Sequence, residues 1–67
     1  MKLDPKKLQF LMAVKCMEVK KLSKISGLHE CTISKIKIGS QNAKPVTIGK
    51  IAKALEVDVT ELIEQEN

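Results

Sequence analysis

The chain has 67 residues and a net charge of +4, with 12 lysines, eight acidic residues and no arginine. A chain of this length is expected to form one domain over residues 1–67, with a modest core and no elaborate enzyme pocket, so we expect neither catalysis nor a cofactor. Phe10 is the only aromatic residue, which excludes base stacking on aromatic side chains as the main way of binding nucleic acid.

The first predicted helix begins after Asp4, whose side chain can cap it, with Pro5 at the first helical position. We expect it to run from Pro5 to about Cys16. The apolar residues that follow at helical spacing are Leu8, Leu11 and Met12, with Phe10, Val14 and Met17 on an adjoining stripe.

Two short helices joined by a glycine-containing turn are predicted next, over about residues 19–26 and 30–38. In a helix-turn-helix the two helices cross steeply and touch near the turn, so a small residue must allow their approach and apolar residues must hold the angle. The residues that fit this pattern are Leu22, Ser23, Gly27, Leu28, Ile33 and Ile36. Ile25 is expected to face inward beside Leu22. Gly39 is expected to end the third helix of the chain, which is the second of this pair. The pattern favours a sequence-specific DNA-binding protein.

A fourth helix can begin at Pro45, after the polar loop of residues 40–44. Its expected inward residues are Ile48, Ile51, Ala52 and Leu55. Gly49 within it suggests close packing, because glycine weakens a helix interior by about 1 kcal/mol relative to alanine. Asp58 and Glu61 then form the pattern of a capping box at the start of a last helix.

Charge is divided unevenly along the chain. Residues 1–55 contain all 12 lysines and three acidic residues, whereas residues 56–67 contain five acidic residues and no base. The first part would attract a polyanion, and the second part would repel one. A lysine-rich helical surface is also ordinary solvated surface, and charge alone leaves that alternative open. The lysines that could bind phosphate are Lys20, Lys21, Lys24, Lys37 and Lys44.

The third helix has an outward side that could contact base edges. Placing Ile33 and Ile36 against the core turns Cys31, Ser34, Lys35 and Ile38 outward, with Glu30 on the flank. Lys35 can donate to guanine, Ser34 can donate or accept, Thr32 can offer a methyl group, and Glu30 can accept from cytosine N4. Cys31 offers a weak donor and an apolar contact. The candidate base-contacting residues are therefore Glu30, Cys31, Thr32, Ser34 and Lys35.

Residues 8–63 resemble the Cro and phage-repressor type of helix-turn-helix domain, also called the Xre type. The resemblance rests on Leu22-Ser23, Gly27-Leu28, the run Thr32-Ile33-Ser34-Lys35-Ile36, Gly39, the run Ile51-Ala52-Lys53-Ala54-Leu55, Val57 and Glu61-Leu62. It implies a compact all-α fold of five helices, like the lambda repressor. It also implies a homodimer that binds double-stranded DNA and represses transcription by occupying a palindromic operator.

By alignment with this family, the positions that contact bases fall on Glu30, Cys31 and Lys35. Phosphate contacts are implied near the start of the second helix and in the loop after the third. With the lysines, this gives Lys20, Lys21, Lys37, Ser40, Asn42 and Lys44 as the phosphate-contacting candidates.

Two departures from the family favour an alternative function. Val19 and Ile38 stand where the family often has Gln and Asn, and both replacements remove a polar contact to DNA. The same fold could therefore serve as a protein-interaction module, an antirepressor or antitoxin-like component that binds a regulatory protein. In the repressor interpretation, the homodimer would form through apolar residues of the last helix, for which the candidates are Val59, Leu62 and Ile63.

The cysteine and histidine residues do not suggest a metal site. Cys16 and Cys31 lack the spacing of a zinc motif, and His29 is the only histidine. His29 is instead expected to cap the third helix. No apolar run approaches the roughly 20 residues of a membrane span, and no signal-peptide pattern opens the chain. We therefore expect no membrane contact and a location in the reducing cytoplasm.

Overall fold

The computed structural model describes residues 2–64, which form four α-helices and one short 3-10 helix. The helices are α1 (Pro5–Val14), α2 (Val19–Ser26), α3 (Glu30–Lys37) and α4 (Pro45–Leu55), followed by the 3-10 turn Val59–Glu61. The all-helical fold and the order of its first four helices agree with the sequence prediction, and the bounds of α2 match it.

The prediction of a fifth α-helix is wrong, because the last element is a single 3-10 turn. The capping box is present: the Asp58 side chain accepts from the Thr60 N–H, and the Glu61 carboxylate accepts from the Asp58 N–H at 3.1 Å. The helix cannot extend beyond this turn because the chain straightens at Ile63, which forms an antiparallel bridge with Leu3.

This bridge joins the two ends of the described chain. The Asp4 N–H donates to the Leu62 carbonyl at 2.8 Å, and the Glu64 N–H donates to the Lys2 carbonyl at 2.8 Å. The side chain of Leu3, one of the two bridge residues, is buried in the core. The pairing thus holds the 3-10 turn against the start of α1, and it was not predicted from the sequence.

Left-handed residues set where the helices end. Gly27 (φ +78°) ends α2 and Gly39 (φ +82°) follows α3, as predicted. Helix α1 ends at Val14, two residues before the predicted end, because Cys16 takes a φ of +51° and the Met17 N–H turns back to donate to the Met12 carbonyl at 2.8 Å.

The core of the described residues contains no polar or charged side chain. Its largest fully buried side chains are Leu8, Leu22, Ile33, Ile36, Ile48, Ile51, Leu55 and Leu62. The inward residues predicted for α4 are confirmed. The expected close packing at Gly49 is not, since a Cβ atom added there would meet no other atom within 4 Å.

Ile25 does not face inward, contrary to the prediction, and is 52% exposed. The buried side of α2 is formed by the buried residue Leu22 and the half-buried residues Val19, Ser23 and Ser26. At 100° per residue, Ile25 lies roughly 100° from the centre of that side. Helix α2 packs against both α3 and α4. Packing against these two neighbours sets the rotation of α2 about its own axis, and this rotation leaves Ile25 exposed.

The apolar residues predicted to form a dimer surface at the last helix are used inside the molecule. Leu62 is fully buried, while Val59 and Ile63 are half-buried and pack against the core. That surface therefore does not have the apolar exposure that the prediction requires. The large apolar side chains that are exposed lie elsewhere and are Phe10, Val14, Ile25, Ile38 and Val46.

Candidate nucleic-acid interface

The turn between α2 and α3 is fixed by hydrogen bonds from two serines. The Ser23 hydroxyl donates to the Leu28 carbonyl, and the Leu28 N–H donates to the Ser26 hydroxyl at 3.2 Å. Gly27 makes the turn in the left-handed conformation, which costs glycine little. Ser23 is therefore more than the small residue expected from the pattern, because its hydroxyl ties α2 to the start of α3.

His29 caps α3, as the sequence predicts. Its Nδ1 atom accepts from the Cys31 N–H at 3.3 Å, and its backbone is extended, as is usual for a capping residue. Glu30 lies in the first turn, and Lys35 and Lys37 in the last. These charges stabilise α3 through the helix dipole, independently of any ligand.

Helix α3 presents an exposed arc of four side chains. Ile33 and Ile36 are buried, whereas Glu30, Cys31, Ser34 and Lys35 are exposed. At 100° per residue these four span about 140° of the helix surface, and an α-helix with its side chains is about 10–12 Å across. The major groove of B-DNA is about 12 Å wide and admits an α-helix. Of the five predicted base-contacting residues, the structure brings these four together, while Thr32 is half-buried at the edge of the arc.

The predicted phosphate-contacting residues fall into two groups. Lys20, Lys21, Asn42 and Lys44 are exposed, and the chain leaves them accessible to a ligand. Lys37 is half-buried, and its carbonyl accepts from the Gln9 side chain at 2.8 Å. The N–H and hydroxyl of Ser40 both donate to the Lys35 carbonyl, at 2.9 and 3.2 Å. Ser40 thus closes the end of α3, and its hydroxyl would have to leave this bond to donate to a phosphate.

The helix N-termini differ in whether a side chain caps them. Asp4, His29 and Asp58 accept hydrogen bonds at the starts of α1, α3 and the 3-10 turn, whereas Glu18 and Lys44 make no such bond at the starts of α2 and α4. The first N–H groups of a helix need an acceptor and carry partial positive charge. Those of α2 and α4 can therefore bind an anion such as phosphate. The absence of a short capping residue at positions 18 and 44 signals this in the sequence.

The described residues offer little to a metal ion. Among residues 2–64, no group of three His, Cys, Asp or Glu side chains is placed to hold one. Cys16 and Cys31 are free thiols, and both are exposed. None of the helices in this part of the chain combines the length and apolar character needed to cross a membrane.

Residues 7–67 match the family model of the Cro/C1-type helix-turn-helix DNA-binding domain. The match covers most of the chain, including all of α2, α3 and α4. The chain belongs to this family. The Cro/C1-type domain is a helix-turn-helix DNA-binding domain, and the resemblance inferred from the sequence is confirmed. No match was found among curated proteins.

Solved structures share the fold of this Cro/C1-type domain. The restriction-modification controller protein C.AhdI from Aeromonas hydrophila is 29% identical, with a TM-score of 0.85 over 88% of this chain and 89% of that one. A mutant of hydroxyethylphosphonate dioxygenase is 21% identical, with a TM-score of 0.85. Its match covers all of this chain but 14% of the dioxygenase, so it shows a shared fold alone.

Proposed function

We propose that this Cro/C1-type domain is a sequence-specific transcriptional repressor that binds a palindromic operator as a homodimer and reads it with α3. The observation that carries the proposal is the exposed arc of Glu30, Cys31, Ser34 and Lys35 on one side of α3. The likeness to a restriction-modification controller supports a role in regulating transcription.

Each residue of α3 has a chemically defined role in this proposal. Lys35 donates to guanine O6 and N7, and Glu30 accepts from cytosine N4. Ser34 donates or accepts, while Cys31 and the Thr32 methyl group contact thymine methyl groups. The chain has no arginine, so bidentate guanine recognition by guanidinium is excluded, and part of the specificity would come from DNA shape.

Phosphate contacts on both sides of α3 would fix its position in the groove. On one side are the uncapped N-terminus of α2 and the exposed Lys20 and Lys21. On the other are the uncapped N-terminus of α4 with Lys44 and Asn42, and the neighbouring residues Lys37 and Ser40 at the end of α3. Contacts of this kind set register and orientation and make affinity depend on salt, while the base contacts select the sequence.

The salt dependence of DNA binding tests the phosphate contacts. We expect Lys44→Ala to weaken binding to all duplexes alike and to lower the slope of log K against log salt by about 0.9, the value for one phosphate contact. The matched control is Lys53→Ala, which removes an exposed lysine in the last turn of the same helix. Equal slopes for Lys44→Ala and the wild type would remove Lys44 from the site.

A second candidate function is a protein-interaction module that uses the same fold. Two exposed apolar side chains favour it: Ile38 at the end of α3 is 72% exposed and Val46 in the first turn of α4 is 70% exposed. A partner bound mainly through such residues would show little salt dependence, in contrast to DNA. Failure to bind any duplex at low salt would favour this candidate over the repressor.

A further inference from the structure

The outer side of α1 carries apolar side chains that the described residues leave uncovered. Phe10 is 68% exposed and Val14, one helical turn later, is 57% exposed. They lie opposite Leu8, Leu11 and Met12, which are buried against the core. Phe10 is the only aromatic residue of the chain, and aromatic side chains bury the most area in cores and interfaces. Phe10 and Val14 together form an exposed apolar patch, and such patches are typical of contact surfaces.

Phe10 lies in a shallow groove between α1 and the 3-10 turn. Lys6, Lys7, Phe10 and Leu11 form one wall, and Thr60 and Glu61 form the other. The walls are held in place, because the Lys7 ammonium donates to the Ile63 carbonyl at 2.9 Å and Glu61 belongs to the capping box. The α1 wall therefore carries both the lysines and the apolar side chains, whereas the wall on the turn carries the acidic side chain of Glu61.

We propose that this groove is a self-association surface and that its occupant is a second copy of the chain. In a two-fold arrangement the same patch serves both subunits. The opposite charges of the two walls make this patch complementary to itself, since Lys6 of each copy then faces Glu61 of the other while Phe10 of each copy is buried against its partner. The inference rests on the proposed homodimer and places its contact on α1 instead of on the residues of the last helix.

The self-association surface is separate from the proposed DNA-binding face. It consists of side chains of α1 and the 3-10 turn, whereas the exposed arc belongs to α3 and the uncapped N-termini to α2 and α4. Association through this groove leaves those groups free. Self-association and the affinity of one copy for DNA can therefore be measured independently.

Sedimentation equilibrium of Phe10→Ser tests the apolar part of the surface. Each dimer would lose two buried aromatic anchors, so we expect the dimer Kd to rise about 100-fold, tenfold for each ring. The matched control is Ile25→Ser, which removes another exposed apolar side chain, on α2, and which we expect to leave the Kd unchanged. A dimer that Phe10→Ser does not weaken would overturn the proposal while leaving the homodimer intact.

Lys6→Glu tests the charge complementarity without changing the apolar side chains Phe10 and Leu11. The new carboxylate would face Glu61 of the other copy, so we expect weaker association. Lys50→Glu makes the same charge change at an exposed residue of α4 outside the groove and should have no effect. Equal weakening by both variants would contradict the proposal, as would a wild-type chain that stays monomeric. Binding of the same proteins to a short random-sequence duplex at low salt reports separately on the proposed function.

Discussion

Two residues that are not glycine hold the left-handed conformation at helix ends. Cys16 follows α1 with a φ of +51°, and Glu56 follows α4 with a φ of +58°. In each case the next N–H donates back into the helix, from Val57 to the Ala52 carbonyl at 3.0 Å in α4, as in a Schellman motif. An L-residue in this conformation costs about 1–2 kcal/mol. The family fold is therefore built here with backbone strain that a glycine would relieve.

The strain at Glu56 predicts a stabilising substitution. We expect Glu56→Gly to raise the free energy of unfolding by about 1 kcal/mol, because glycine takes a positive φ without a Cβ clash. Urea denaturation followed by circular dichroism measures it. Glu56→Ala is the control, since it removes the same exposed carboxylate and keeps the Cβ atom. A gain of equal size in Glu56→Ala would show that charge, and not φ, is responsible.

Single residues also mark where sequence reasoning succeeds and fails. The caps by Asp4 and His29 were predicted because each depends on a side chain and an N–H group two residues apart. The burial of Leu3 was missed because its partner, Ile63, lies at the other end of the described chain, and no local pattern reports such a pair. The positive φ of Cys16 was missed because cysteine gives no signal of it.

At the scale of elements, the start of α3 links stability to DNA binding. The cap by His29 is a long hydrogen bond of 3.3 Å, and Asp or Asn is preferred at this position. We expect both His29→Asn and His29→Asp to raise the free energy of unfolding, by about 0.5–1 kcal/mol.

The two variants should differ in their affinity for DNA. The aspartate would place a negative charge beside the proposed base-contacting arc, so His29→Asp should bind duplexes more weakly, whereas the neutral His29→Asn should bind like the wild type. Thermal unfolding and fluorescence anisotropy with a labelled duplex measure the two effects. Equal affinities for His29→Asp and His29→Asn would contradict the placement of DNA at this end of α3.

The 3-10 turn makes stability depend on pH through Asp58. The hydrogen bond from the Thr60 N–H, and then that from the Thr60 hydroxyl, hold the pKa of Asp58 below its usual value. Because the pKa of Asp58 is lower in the folded state, this carboxylate stabilises the fold at pH values above its pKa in the unfolded state. The stabilisation is lost as the pH falls through its pKa in the folded state.

We therefore expect acidification through the carboxyl range to weaken the fold more in the wild type than in Asp58→Asn. The asparagine can still accept from the Thr60 N–H but does not titrate. Urea unfolding at a series of pH values below neutrality measures the difference. Parallel pH profiles for the two proteins would show that Asp58 contributes nothing to acid sensitivity.

The elements show which part of the fold local sequence determines. The bounds of α2 and the end of α3 followed from apolar spacing, Gly27 and Gly39. The last element did not, because the capping box of Asp58 and Glu61 marks where a helix starts and says nothing of its length. Its end is imposed by the pairing of Ile63 with Leu3. The rotation of α2, which exposes Ile25, likewise depends on packing against α3 and α4.

At the scale of the whole molecule, the paired ends complete the core. Leu3 is 5% exposed and belongs to the same cluster as Leu62 and Leu8. A domain this small has little stability to spare. The bridge therefore closes the α1 side of the core and holds the 3-10 turn, which also forms one wall of the proposed self-association surface.

Truncating Leu3 tests the contribution of the paired ends. We expect Leu3→Ala to lower the free energy of unfolding by about 2–3 kcal/mol, within the range for buried leucines. Val46→Ala is the matched control, since it shortens an apolar side chain that is 70% exposed and should cost little. Urea denaturation compares the two. A Leu3→Ala variant as stable as Val46→Ala would show that burial of the Leu3 side chain adds nothing to the stability of the core.

The candidate site was predictable to the extent that it lies on one helix. Spacing around Ile33 and Ile36 placed the exposed arc, since a helix fixes the directions of its side chains. The bonds from Ser40 to the Lys35 carbonyl depend on the left-handed turn at Gly39, and the position of the proposed dimer contact depends on how elements pack. Sequence periodicity carries no information on either.

Selection of binders from a random duplex library, with the wild type and Lys35→Ala in parallel, tests most directly whether α3 reads bases. We expect the wild type to enrich a palindrome whose half-sites are about one helical turn apart, and Lys35→Ala to enrich the same palindrome with one relaxed position in each half-site. Identical motifs from the two proteins, or no enrichment by the wild type, would contradict the proposed role of α3.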